Sequence, residues 1–180
     1  MDLRPIMEKI NEHTNDFIER TKGKIYYPGE LSTRLIDLLT LEYADKTRHC
    51  GVDSTNGTEI ILGEIVIGAG LEYSSISDLY KSQVFDIGDF LNVPSYILNR
   101  NPINSTFGND KINSYFGEIP NGLSARDVYA VLDPVLYHLY DLKLSPRHIS
   151  KKLGHSIEFV ENVSRRVKNQ DHRRQHPLFV

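Results

Sequence analysis

Cysteine is almost missing from this chain. Cys50 stands alone among 180 residues, so neither an internal disulfide nor a multi-cysteine metal site can form. That scarcity fits a reducing compartment, and the opening "MDLRPIMEKINEHTND" has no apolar h-region, so a cytoplasmic protein is expected. No apolar run reaches bilayer length, and no membrane-spanning helix is expected. An excess of one charge is lacking too. The formal net charge is −3 and the pI about 6.2, which leaves no global pull toward nucleic acid or an anionic membrane. Any such contact needs a local patch, and only the C-terminus is locally basic. No Walker-type glycine loop, no dinucleotide fingerprint, no nucleophile elbow around "SSISD", no internal repeat and no low-complexity tract occurs.

What remains is a chain of single-domain size, 1–180, with 39% hydrophobic residues. In "RPIMEKINEHTNDFIER", Ile6, Ile10, Phe17 and Ile18 share one helical face. "LSTRLIDLLTLEYA" repeats leucine at 31, 35, 38, 39 and 41, which predicts a well-buried helix. "RHCGV" reads as a short buried strand leading into the polar loop "DSTNG", with Cys50 as a small core residue at its end. "TEIILGEIVIGAG" begins as a helix and fails at Gly63, Gly68 and Gly70. "SISDLYKSQVFDIGDFLNV" predicts a helix capped by Ser77 or Asp78, burying Leu79, Val84, Ile87 and Leu91 and ended by Pro94. Residues 99–123 are a long polar loop. "SARDVYAVLDPVLYHLYDL" follows, capped by Ser124 with Asp127 three residues on, and Pro134 should kink or divide it. The stretch 143–180 reads as a helical hairpin and basic tail, opened by Ser145 with Pro146 at the first helical position.

That hairpin has the outline of a helix-turn-helix, because Ile149, Leu153, Ile157, Val160 and Val163 can pack two short helices and Arg165, Arg166, Arg173 and Arg174 follow. Glu158 and Glu161, however, stand where base or phosphate contacts belong, so DNA binding is not expected. His172 and His176 have i,i+4 spacing with only Asp171 nearby, which is too little for a metal site. Composition and spacing alone reach a soluble, mostly helical α/β domain.

The order of several short pieces goes further. "DSTNGTEIILG" follows the pattern GT-x-N-K/R-S/T-E then L-x-G, "DLYKSQV" the pattern LYK-S/T-x-V, and "DHRRQHP" the ending HKRR-x-P. Together with "GELSTRLIDLLTLEYA", these pieces resemble the C-terminal half of the NAD synthetase family, ATP-dependent amidating ligases of NAD biosynthesis. The resemblance runs from about Leu3 onward. It implies a mostly helical fragment of an adenine-nucleotide-hydrolase-like, Rossmann-like α/β domain with few parallel strands. It also implies nucleotide contacts from Arg34, Ser54, Asn56, Thr58, Lys81, His172 and Arg173, with Arg174 matching the same tail, and a magnesium ligand in Glu59. The cofactors implied are ATP and Mg, and the substrate is nicotinic acid adenine dinucleotide, whose carboxylate is adenylated before ammonia displaces AMP. Read without the resemblance, Ser54 and Thr58 only cap a helix and Glu59 only supports its dipole.

The departures are equally specific. The family's phosphate-binding SGG-x-DS element has no counterpart in these 180 residues. Gly57 replaces a Lys or Arg, "EIVIGAG" replaces "YFTKYGDG" and loses its lysine and aspartate, with Glu72 standing for a later aspartate, and the loop "GNDKINSYFGEIP" keeps only Asp110 and Glu118 of an acidic run. The expectation is a split or degenerate member, inactive alone, which pairs as a homodimer through "LSTRLIDLLTLEYA" or takes the pyrophosphatase loop from a separate chain. The alternative is a nucleotide-sensing or interaction subunit without catalysis.

Overall fold

The computed structural model describes residues 4–10, 12, 30–64, 73–100 and 124–171. Residues 4–10 are helical. Helix α1 (Glu30–Thr47) leads into strand β1 (Val52–Asp53), the short helix α2 (Gly57–Leu62) and strand β2 (Tyr73–Ser74). Helices α3 (Lys81–Phe90) and α4 (Ser95–Leu98) follow, then α5 (Ala125–Leu136), a π-helical turn (Tyr137–Asp141), α6 (Pro146–Leu153) and α7 (Ile157–Asn169). The two strands pair in parallel, Val52 opposite Tyr73 and Asp53 opposite Ser74. No described helix is long and apolar enough to cross a membrane.

The core is made by the last three helices. Leu132, Val135 and Leu136 of α5 interlock with Ile149 of α6 and with Phe159, Val160 and Val163 of α7, all out of contact with water. Ile61 and Leu62 of α2 and Phe85 of α3 join the same cluster, so the two helices nearest the polar loop stand on this base. The local signals explain the ends. Ser124 and Asp127 form the expected reciprocal cap on α5, Ser145 accepts from His148 N with Pro146 in the first turn, and Ser156 accepts from Phe159 N. Gly63 and Gly154 end α2 and α6 in left-handed backbone, φ 69° and 73°.

Pro134 has no N–H to give the preceding turn, yet α5 runs past it to Leu136 undivided and passes directly into the π turn. His138 Nδ1 lies 2.6 Å from Pro134 O. A carbonyl can only accept, so Nδ1 carries the proton.

Five expectations are corrected. The leucine-rich helix exists, but only Ala44 of its described side chains is buried; Ile36 is 55% and Leu38 54% exposed, and Leu39 and Tyr43 are exposed as well. Its periodicity specifies an apolar face without specifying a cover. Cys50 is exposed, because the strand is two residues long and starts beyond it. The helix expected from residue 77 starts at Lys81 behind Tyr80, whose N–H donates to Gln83 Oε1. Residues 77–79 are held otherwise, Leu79 O accepting from Gly57 N at 2.8 Å. That later start rotates the buried face: Phe85 and Gly88 are inside, while Ile87 and Leu91 are exposed. The chain also turns before Pro94, ending α3 at Phe90, and Asn92 takes φ 55°. Phe17, Ile18, Gly68, Gly70, Glu72, Asp110 and Glu118 lie outside the described residues.

Candidate nucleotide site

The polar loop sits at the carboxyl end of β1, the place where an open α/β sheet receives its ligand. Asp53 Oδ1 accepts from both the N–H and the hydroxyl of Thr55, a local turn that sends the chain sideways off the strand. Ser54 is exposed at its tip. Asn56 then caps α2: its Oδ1 accepts from Glu59 N at 3.1 Å, and Glu59 Oε2 accepts from Asn56 N at 3.2 Å. The cap is therefore Asn56, and neither Ser54 nor Thr58 serves as one. The other half of the Asn56 amide, Nδ2, is buried with no hydrogen-bond partner among the described residues.

Thr58 is fully buried and has a different task. Its hydroxyl donates to Asp133 Oδ1 at 2.8 Å and accepts from Lys81 N at 2.9 Å. Asp133 Oδ2 accepts from Ser82 N at 2.7 Å. One carboxylate, 3% exposed, thus ties the first turns of α2 and α3 to the last turn of α5. Burial raises the Asp133 carboxyl above its ordinary range, while Ser82, Thr58 and Lys81 pull the other way.

This junction places Lys81 beside Glu59. Lys81 Nζ is 3.5 Å from Glu59 Oε1, and the two side chains keep 20% and 26% of their surface open. Arg34 is exposed on α1, one turn from Asp37. The Asp37 carboxyl is raised by burial and then by the charge of Asp53. His172, Arg173 and Arg174 lie outside the described residues.

Asp133 had no place in the sequence reading, although a signal existed. In "YAVLDPVL" it falls on the stripe shared by Tyr129, Leu132 and Leu136, where an acid needs partners. Beside it lies a cleft of about 420 Å³ lined by Tyr80, Ser82, Asp133, His138 and Asp141. The Tyr80 hydroxyl donates to Asp141, and burial followed by that carboxylate pushes the Tyr80 phenol far up, so it stays protonated.

Gly57 explains a departure from the family pattern. A Cβ there would stand 3.1 Å from both Leu79 O and Ser77 O, the carbonyls that close the loop over α2. Installing the cation as Gly57→Lys is therefore expected to destabilise the chain by about 1–3 kcal/mol, measured by urea unfolding. Unchanged stability would mean that the 77–79 loop yields.

As a metal centre the site is narrow. Among the described residues no group of three or more His, Cys, Asp or Glu side chains converges, and Glu59 already serves a backbone N–H and Lys81. That donor set fits a magnesium ion arriving on nucleotide phosphates, which bring most of the oxygens, and does not fit a dedicated cage.

Comparison with known proteins agrees with this frame. The chain matches the family model described as NAD synthase over residues 1–177. It is similar to the NH3-dependent NAD+ synthetase of Pyrococcus furiosus, 26% identical over 180 residues, with 99% of this chain and 65% of that protein covered. It is also similar to the NH3-dependent NAD+ synthetase of Saccharolobus solfataricus, 29% identical over 172 residues, with 93% of this chain and 58% of that protein covered. The chain thus spans 65% or less of the length of these relatives. Among solved structures, the NMN synthetase from Francisella tularensis superposes with a TM-score of 0.62 at 19% identity, covering all of this chain and 65% of that one. The likeness supports the expected α/β class, mostly helical with a small parallel sheet.

Proposed function

Because the chain belongs to the NAD synthase family, we propose that it is a NAD synthetase-like protein of NAD biosynthesis that holds a nucleotide at the β1–α2 loop and does not complete the amidation alone. The observation that carries this reading is the Glu59–Lys81 pair at 3.5 Å, partly open to solvent near the end of a parallel strand. An arriving polyphosphate exchanges with Glu59 for the Lys81 ammonium, and the freed Glu59 carboxylate faces the cation that accompanies the phosphates. When bound, that magnesium ion supplies neutralising charge beside the phosphates. Asn56 and Thr58 act as positioning residues: one shapes the loop, the other locks it to Asp133.

Catalysis is a further demand. Amidation of nicotinic acid adenine dinucleotide requires stabilisation of a pyrophosphate leaving group, and this chain has Gly57 in place of a cation and no SGG-x-DS element in its 180 residues. The expected result is no NAD from nicotinic acid adenine dinucleotide, ATP, Mg and ammonia with the chain alone. Turnover by the purified chain overturns the inactive reading. Turnover only with a second chain carrying that element identifies it as one part of a split ligase. Persistent binding without turnover favours the sensing reading. The working compartment in this proposal is the cytoplasm.

The face of α1 that carries Leu35, Leu38 and Leu39 has a second copy of the chain as its occupant in this reading, and Leu38 and Leu39 are exposed for it. Sedimentation at tens of micromolar, roughly the range where standard interfaces hold, is expected to show a dimer that Leu39→Glu dissociates. A monomer at those concentrations contradicts it.

A further inference from the structure

A second groove, of about 540 Å³, shares no lining residue with the β1–α2 loop or the Asp133 cleft. It lies where the π turn, the start of α6 and the last turns of α7 meet, and its volume suits a small-molecule site. Its walls are chemically divided. Leu139, Leu144 and Val167 supply an apolar side, and Lys143, Lys168 and Ser164 a polar one.

The polar side is open for a ligand. Among the described residues neither lysine is in an ion pair, and Lys143 Nζ lies over the Tyr140 ring, 4.3 Å from its centroid. Ser164 is 7% exposed, and its hydroxyl makes no hydrogen bond among the described residues although it lines the groove. A hydroxyl so placed asks for an acceptor or donor from whatever fills the space. The first turn of α6, eight residues long and capped by Ser145, adds the positive end of a helix dipole to the same wall. Asp171, the carboxylate in the lining, has an interaction of its own.

Two cations, a hydroxyl lining the groove and a helix start facing an apolar wall select one ligand class. We propose that this groove binds a small organic anion, a carboxylate or phosphate ester carried on a flat apolar body. The apolar part lies against Leu139, Leu144 and Val167, and the anion meets Lys143, Lys168 and Ser164. This proposal is independent of nucleotide binding at Glu59 and Lys81.

The test is a titration of the isotope-labelled full chain with 1-naphthoate, 1-naphthylmethanol and inorganic phosphate, read from backbone amide shifts. Naphthoate is expected to give saturable shifts at Ser145, Ser164 and Lys168. The uncharged alcohol is expected to bind at least about tenfold more weakly, and phosphate alone to shift nothing there. Lys143→Gln with Lys168→Gln, both exposed positions, is expected to weaken naphthoate about tenfold without altering the remaining spectrum, and ~0.5 M salt to weaken the parent in the same direction. Equal binding of the alcohol, binding of phosphate alone, full binding by the double variant, or no shift at these amides overturns the proposal.

Discussion

Replacing Asp133 with alanine is expected to remove about 3–5 kcal/mol of stability, a large share of the ~5–15 kcal/mol that a domain has in total. The change leaves the Thr58 hydroxyl and the Ser82 N–H without their acceptor in a dry junction, and each orphaned group costs about 1–3 kcal/mol. Asp133→Asn is milder, about 1–3 kcal/mol, because one amide oxygen can serve one of the two donors while the amide nitrogen faces the other. The pH dependence separates this from a simple cavity. Burial raises the Asp133 carboxyl, so the folded chain binds its proton more tightly than the unfolded chain. Its contribution is therefore fullest below the unfolded value of 3.8 and is lost as pH rises through the raised folded value. The stability difference between the parent and Asp133→Asn should shift toward the parent as pH falls through that window. Urea unfolding at several pH values measures it, and a difference independent of pH contradicts this assignment.

Phe159→Ala is expected to cost about 3–5 kcal/mol, since the ring is buried against α5 and α6 with His155 edge-on at 5.4 Å between centroids. The same substitution decides what the C-terminal hairpin is for. Phe159, Val160 and Val163 point into the core, Glu158 and Glu161 are exposed, and Arg166 Nε donates to Leu62 O at the end of α2. One arginine of the basic pair is thus used in joining α7 to α2, where cations suit a helix end. Thermal unfolding shifted by less than a degree or two would show that α7 is a detachable element, contrary to this core.

The helix ends were legible because their signals are local. Ser124 with Asp127, Ser145 with Pro146, and Gly63 each act within four residues of themselves. The start of α3 was not legible, because its first N–H groups are received by Thr58 and Asp133, 23 and 51 residues away. The leucine face of α1 was legible as apolar, and its exposure was not, since period says which residues share a side and nothing about what covers it. Motif order pointed to Asn56, Thr58, Glu59 and Lys81, and the structure brings these four side by side. The division of labour needed coordinates: Asn56 and Thr58 are sealed inside, while Glu59 and Lys81 remain partly open. Gly57, read from pattern as a lost cation, leaves a Cβ only 3.1 Å from the carbonyl oxygens of Ser77 and Leu79, a closeness that pattern does not show.

The central claim is that the β1–α2 loop receives a nucleotide through Lys81 and Glu59. Its most direct test is titration of Mg·ATP into the isotope-labelled chain, read at the amides of Asn56, Gly57, Thr58, Glu59 and Lys81. Saturable shifts confined to these amides, weakened about tenfold or more by Lys81→Ala in a variant that keeps its fold, are the expected result. No shift at these amides up to about 5 mM nucleotide, or equal binding by Lys81→Ala, would contradict the account.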